Sequence, residues 1–322
     1  MIRRLVVIAL WAFSLCCFSI PGSAMDRIPV FVSIVPQKYF MTQIGGELLD
    51  IQVMVQPGAS PATYEPKPRQ MADLARARAY FAVGVPFEQV WLPRIAAANP
   101  EMEVVHTDQG IPKLAMDAHH DHDTHHHQDD EEAASGEDQH HAEEHHDAHA
   151  GGGDGGHHME GGLDPHIWLS PPLVKQQART MLAALKEIDP SHAARYEANC
   201  RRFLADVDAL DAELRQTFAG RQGFRFMVFH PSWGYFAHAY GLVQMPIEIE
   251  GKEPKPAQLS ALITYAREKG IRVVFVQPQF SSKSARLIAG EIDGQVAFAD
   301  PLAEDWMANL RAVAEKFKAA LK

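Results

Sequence analysis

Residues 191–219 read SHAARYEANCRRFLADVDALDAELRQTFA. Tyr196, Phe203, Val207, Leu210, Leu214 and Phe218 recur in this stretch at intervals of three, four and seven, so all six return to one face of a 3.6-residue turn. No proline or glycine interrupts it, and Gly220 and Gly223 lie just beyond, where glycine ends helices. The stretch predicts one long continuous helix.

What lies on either side of this helix decides the fold. Upstream, β-rich runs at 30–34, 51–55, 80–83 and 103–105 alternate with helical patterns at 37–44, 69–78 and 87–98, and a further helix spans 172–188. Downstream the alternation restarts, with strands at 224–229, 246–249, 271–276 and 296–299. Helices are expected there at 235–240, 258–269, 284–292 and from about 304 onward. Strand-helix alternation specifies βαβ units and parallel sheets. The expectation is therefore an α/β protein of two lobes, each with a four-stranded parallel sheet and flanking helices, joined by the long helix. The lobes span 25–190 and 221–322, and the connector 191–220.

The first residues form a separate unit. Arg3 and Arg4 precede an apolar run over 5–20, then Pro21-Gly22-Ser23-Ala24 with small residues where a signal peptidase reads them. The run falls short of the ~20 residues of a bilayer span. Neither Cys16 nor Cys17 follows the small residue that a lipoprotein signal wants. Residues 1–24 thus read as a cleavable export signal, and the periplasm is the expected location. The mature chain keeps one cysteine, Cys200, so no intramolecular disulfide can form.

Residues 117–162 interrupt the first lobe. They hold thirteen of the eighteen histidines and fourteen Asp or Glu, with no Lys or Arg. Imidazoles and carboxylates together point to divalent metal ions, and a Gly-rich segment nearly free of aliphatics cannot bury enough apolar surface to fold. The tract is expected to be a disordered, metal-attracting insertion. It also accounts for the net charge of -11, since without it and the two signal arginines the remainder is close to neutral. Nothing basic enough for nucleic acid remains.

In parallel α/β sheets, ligands bind beyond the carboxyl ends of the strands. Four loops there carry polar groups: 57–66, 164–169 (Asp-Pro-His-Ile-Trp-Leu), 230–236 (His-Pro-Ser-Trp-Gly-Tyr-Phe) and 300–302. His166 and His230 each adjoin a proline, and with Asp300 they converge from both halves on a cleft as a two-nitrogen, one-oxygen set to which zinc adds a fourth ligand. Asp300 reads equally as a helix N-cap. His106, His192 and His238 lack such loops and are expected to be structural or exposed. The aromatics Tyr64, Trp168, Trp233, Tyr235 and Phe236 read as packing around the cleft.

At these loops the chain resembles the ZnuA/TroA-like periplasmic zinc and manganese receptors of ABC importers. The resemblance rests on 164–169, on His230-Pro231 with Gly234-Tyr235-Phe236 and Gly241-Leu242, and on 251–258 (Gly-Lys-Glu-Pro-Lys-Pro-Ala-Gln), in that order. It spans nearly all of the mature chain. It implies one metal ion held between two α/β lobes joined by a rigid helix, and delivery of that ion to a membrane permease; the receptor itself is expected to be a monomer. An acidic His-rich loop marks the zinc branch, so Zn2+ rather than Mn2+ is the implied cargo. By the same resemblance His166 and His230 match the second and third ligand positions, and Asp300 the last. The first ligand of the family is a histidine in a Ser-Pro-His-x-Tyr context, where this chain has Ser60-Pro61-Ala62-Thr63-Tyr64. Alanine cannot coordinate a metal. Water, Glu65 or a histidine of the tract is left to complete the site. A second departure is Gln277-Pro278-Gln279, where relatives often carry Glu.

Two other functions fit parts of this pattern. A zinc buffer or metallochaperone would bind mainly through the tract. A zinc hydrolase would use two histidines, a carboxylate and an open water position, but no HExxH helix or nucleophile elbow occurs outside the tract.

Overall fold

A computed structural model describes residues 27–116, 162–249 and 251–320. Residues 1–26, where the export signal is expected, and tract residues 117–161 lie outside these, and so do the expectations placed on them.

The first sheet comprises β1 (Ile28–Val32), β2 (Leu49–Val53), β3 (Ala79–Ala82) and β4 (Glu103–His106), in the order β2-β1-β3-β4. The second comprises β5 (Arg225–Val228), β6 (Val243–Pro246), β7 (Val273–Val276) and β8 (Gln295–Phe298), in the order β6-β5-β7-β8. Every pairing is parallel, with Val30 opposite both Ile51 and Ala79 in one sheet and Val228 opposite both Pro246 and Phe275 in the other. Identical orders put a switch in strand direction of travel between β1 and β3, and again between β5 and β7, so each sheet opens a crevice at the carboxyl ends of its central strands.

Helices α1 (Val35–Gly45), α2 (Pro68–Leu74), α3 (Pro86–Ala98) and α4 (Pro171–Ile188) belong to the first half, and α6 (Gly234–Tyr240), α7 (Pro256–Glu268), α8 (Lys283–Glu291) and α9 (Trp306–Ala320) to the second. Between them runs α5 (Ala193–Thr217), 25 residues long. It starts two residues later than the apolar spacing predicts, because residues 190–192 form a 3-10 turn in which Asp189 accepts from the His192 ring and from the Tyr196 hydroxyl. It ends where expected, Gly220 and Gly223 adopting φ of 73° and 78°. Its buried face carries Tyr196, Cys200, Phe203, Val207, Leu210 and Leu214, five of them among the six residues of the predicted stripe.

Two boundaries differ materially from the sequence expectation. Helix α2 stops at Leu74 rather than 78, since the Asn99 amide donates to the carbonyls of Leu74 and Ala77 and the Arg78 N–H already joins the sheet at Pro29 O. Strand β6 lies three residues earlier than the apolar run 246–249. Its Gln244 is a buried polar residue, whose side chain accepts from the Trp233 N–H at 2.7 Å, and this broke the apolar pattern.

One apolar core runs through the first lobe, α5, α9 and the α9-facing side of the second sheet. Trp306 of α9 meets Phe40 of α1 edge to face at 5.1 Å, while Phe317 packs on Phe226 and Phe275 at 4.4 and 4.3 Å. A second core, around Phe229, Leu262, Val276 and Ile288, lies on the other side of the second sheet. No described helix is long and apolar enough to cross a membrane.

Candidate metal centre

His230 follows β5, and His166 opens the short turn that leads into α4. Their rings come from opposite lobes and face each other edge to face, 5.2 Å between centroids. Both line one cavity of about 60 Å³, with Ala62, Trp168, Gln279 and Phe280 among the other walls. That space suits an ion with a few water-sized neighbours.

Each imidazole is fixed by a buried carboxylate. His166 Nδ1 lies 2.7 Å from Asp164 Oδ1, which also accepts the His166 backbone N–H at 2.8 Å, and His230 Nδ1 lies 2.6 Å from Glu248 Oε1. A carboxylate on Nδ1 holds the proton there and leaves Nε2 as the free lone pair, the arrangement in which histidines bind zinc. Burial pulls the His166 pKa below the ordinary histidine value, against the opposing pull of Asp164. The ring is thus kept in the neutral form that metal binding needs.

The backbone around these rings is equally constrained. Gln277, fully buried at the end of β7, accepts from the His230 N–H at 3.2 Å and donates to His230 O and, at 2.9 Å, to Ser232 Oγ. Phe280 stacks on the His230 ring at 4.8 Å and 23°. Trp168 Nε1 donates to Pro301 O and Trp306 Nε1 to Trp168 O, both at 2.7 Å, so two indoles stitch the lobes beneath the cleft. The Tyr235 hydroxyl donates to Asp164 O at 3.0 Å and accepts from the Leu114 N–H at 2.9 Å. The aromatics expected to pack around the cleft are indeed buried, Tyr64, Trp233 and Phe236 included.

The other predicted site residues stand differently. Asp300 accepts from the Leu302 N–H at 2.9 Å and the Gln279 amide at 3.0 Å through the same Oδ1, and it is not among the residues lining the cavity. Glu65 is exposed and away from the cavity, because Tyr64, buried against Phe87 and bonded to Gln70, directs the chain outward after Ala62. Among the described residues no three His, Cys, Asp or Glu side chains come together as a metal-holding group. His106, His192 and His238 stay apart from the cleft: His106 and His238 are exposed, and His192 pairs with Asp189. Asp164, Glu248 and Gln277 were not singled out as site residues from sequence. Asp164 carried a local signal, two residues before His166, whereas Glu248 lay hidden inside the apolar run that read as strand.

The family model for zinc-uptake complex component A, periplasmic (ZnuA), matches residues 30–320. The high-affinity zinc uptake system protein ZnuA of Paracoccus denitrificans is 38% identical over 279 residues, 84% of this chain and 82% of that protein. Its Bacillus subtilis namesake is 27% identical over 271 residues, 83% and 76% of the two chains. A crystal structure of ZnuA superposes with a TM-score of 0.77 at 41% identity, covering 92% of this chain and 100% of that one. A ZnuA deletion mutant with zinc bound gives 0.76, also at 41% identity, over 92% and 99%. With the two-lobed fold and the paired histidines in place, these matches over nearly the whole described chain place it in the ZnuA family of periplasmic zinc-uptake components.

Proposed function

We propose that the protein is the receptor of an ABC zinc importer, capturing Zn2+ in the periplasm between its lobes and presenting it to the membrane permease as a monomer. The observation that carries this reading is the pair of carboxylate-anchored histidines, one from each lobe, lining a single cavity. The family is one of transport components rather than enzymes, and zinc is cargo here. His166 and His230 supply the nitrogen donors. Asp300 offers its second carboxylate oxygen from beside the cavity while Oδ1 keeps its contacts with Leu302 and Gln279, and Glu65 takes no part. Residues 25–190 and 221–322 act as the two lobes and 191–220 as a rigid spacer, a division that the core running from α1 through α5 to α9 supports.

Titration of the mature chain in competition with a zinc chelator tests the reading. One tight equivalent is expected, weakened on the order of a hundredfold or more by His166→Ala or His230→Ala, since losing a ligand costs more than the 10–100-fold typical of its supporting groups. His192→Ala should leave it unchanged. The receptor reading fails if the tight equivalent survives both cleft substitutions, because binding would then reside in the tract, as in a buffer.

A further inference from the structure

The set of donors described so far is one short, since Ala62 stands where the family has its first histidine. We propose that the side-chain carbonyl oxygen of Gln279 takes that place as a donor to the bound ion. The assignment rests on the receptor reading above and names a ligand that reading leaves open.

Three observations converge on it. Gln279 lines the same cavity as His166, His230 and Ala62. It follows β7, and the crevice of the second sheet opens between the loops after β5 and β7, so the fold sets Gln279 across from His230. Its Oε1 is buried and has no hydrogen-bond partner among the described residues.

The orientation of the amide follows from its neighbour. Gln279 Nε2 lies 3.0 Å from Asp300 Oδ1. That oxygen already accepts the Leu302 N–H, and a carboxylate offers no proton, so only the NH2 end of the amide can face it. Oε1 is thereby committed away from Asp300. Buried acceptors in folded proteins are nearly always satisfied, and one left open beside a pair of anchored imidazoles is matched by a cation. An amide oxygen is a neutral, harder donor than imidazole, and replacing a third nitrogen with it moves the set toward two nitrogens and two oxygens, less selective for zinc over cobalt or manganese.

The full mature chain, given one equivalent of Zn2+ and titrated against a chelator, tests the assignment with two substitutions. Gln279→Leu removes the oxygen and the Asp300 contact together. Gln279→Glu keeps an oxygen but loses the donor to Asp300. The expected result is a loss of at least about fivefold for Gln279→Leu, with Gln279→Glu within twofold of the parent or tighter. Any other pattern overturns the assignment. If both variants weaken alike, Gln279 only tethers Asp300. A parent chain without a tight equivalent would instead overturn the receptor reading itself.

Discussion

Gly234, at the start of α6, sits against the carboxylate that orients His166. A Cβ built there would come within 2.7 Å of Asp164 Oδ2, a distance that real contacts do not tolerate. A side chain here would have to push the Asp164 carboxylate aside, so the position favours glycine through close approach between lobes and not through an unusual φ. Gly234→Ala is expected to displace Asp164 and weaken zinc binding by roughly 10-fold or more, as loss of a ligand's supporting group does. Asp164→Asn, which removes the charge but keeps the space, should fall in the same range by chelator competition. Equal affinity for all three proteins would show that the Asp164 contact does not orient the ring. The same imidazole gives a pH prediction. Burial holds the His166 pKa below the ordinary value of about 6.5, so its neutral form persists further into acid than that of an unperturbed histidine. On lowering the pH from 7 to 6, equilibrium dialysis should lose the high-capacity binding of the tract before the single tight equivalent. In the metal-free protein the unfolded chain takes this proton first. The corresponding stability is present above about pH 6.5 and is lost as pH falls toward the lower folded value.

The ends of the His-rich insertion form a small element of their own. Ala115 pairs with Leu163 in an antiparallel bridge, flanked by Met116 N–H to Gly162 O at 3.0 Å and Asp164 N–H to Leu114 O at 2.8 Å. The chain leaves and re-enters the first lobe at one point, two residues before the Asp164-Pro165-His166 turn. Replacing residues 117–161 with a short Gly-Ser turn should leave this bridge intact. The expected variant keeps its melting temperature within a few degrees and retains one tight zinc, while losing most of its weaker capacity. Loss of the tight site would assign the tract a ligand in the cleft. Among elements, the long helix was legible from its apolar spacing, because α5 presents one stripe to the core and its exposed remainder is polar. Strand β6 was not, because a buried glutamine bonded to Trp233 looks polar in sequence and apolar in place.

Across the whole molecule the continuous core sets the mechanical behaviour. Phe40 from the first lobe packs against both Phe203 of the connector and Trp306 of the last helix, and all three are almost fully buried. The lobes therefore share apolar surface along the spacer, and the Trp168 and Trp306 indole bonds tie them again under the cleft. Phe40→Ala, which removes a fully buried ring, is expected to cost about 3–5 kcal/mol. In thermal unfolding it should lower the transition of the entire protein, including the signal of Trp233 in the second lobe. Separate transitions, with only the first lobe shifted, would show that the lobes unfold independently.

Sequence alone determined the two-lobed α/β fold and its long helix, and it pointed to His166 and His230, whose rings the structure brings together in one cavity. These follow from properties local to the chain: hydrophobic period, loop position after strands, and a histidine beside a proline. The family resemblance also pointed to Ala62, where a histidine is expected. Only the tertiary structure decided what surrounds the two rings. Glu248 and Gln277 act through contacts with loops distant in sequence, Gln277 across 47 residues of chain, and no local pattern encodes such distances, whereas Asp164 lies within local reach of the ring it anchors. Glu65 and Asp300 show the converse. Both sit at the right place in the chain, yet backbone direction turns one outward and hydrogen bonds to Gln279 and Leu302 hold the other beside the cavity, because a side chain's reach is set by the packing of its neighbours.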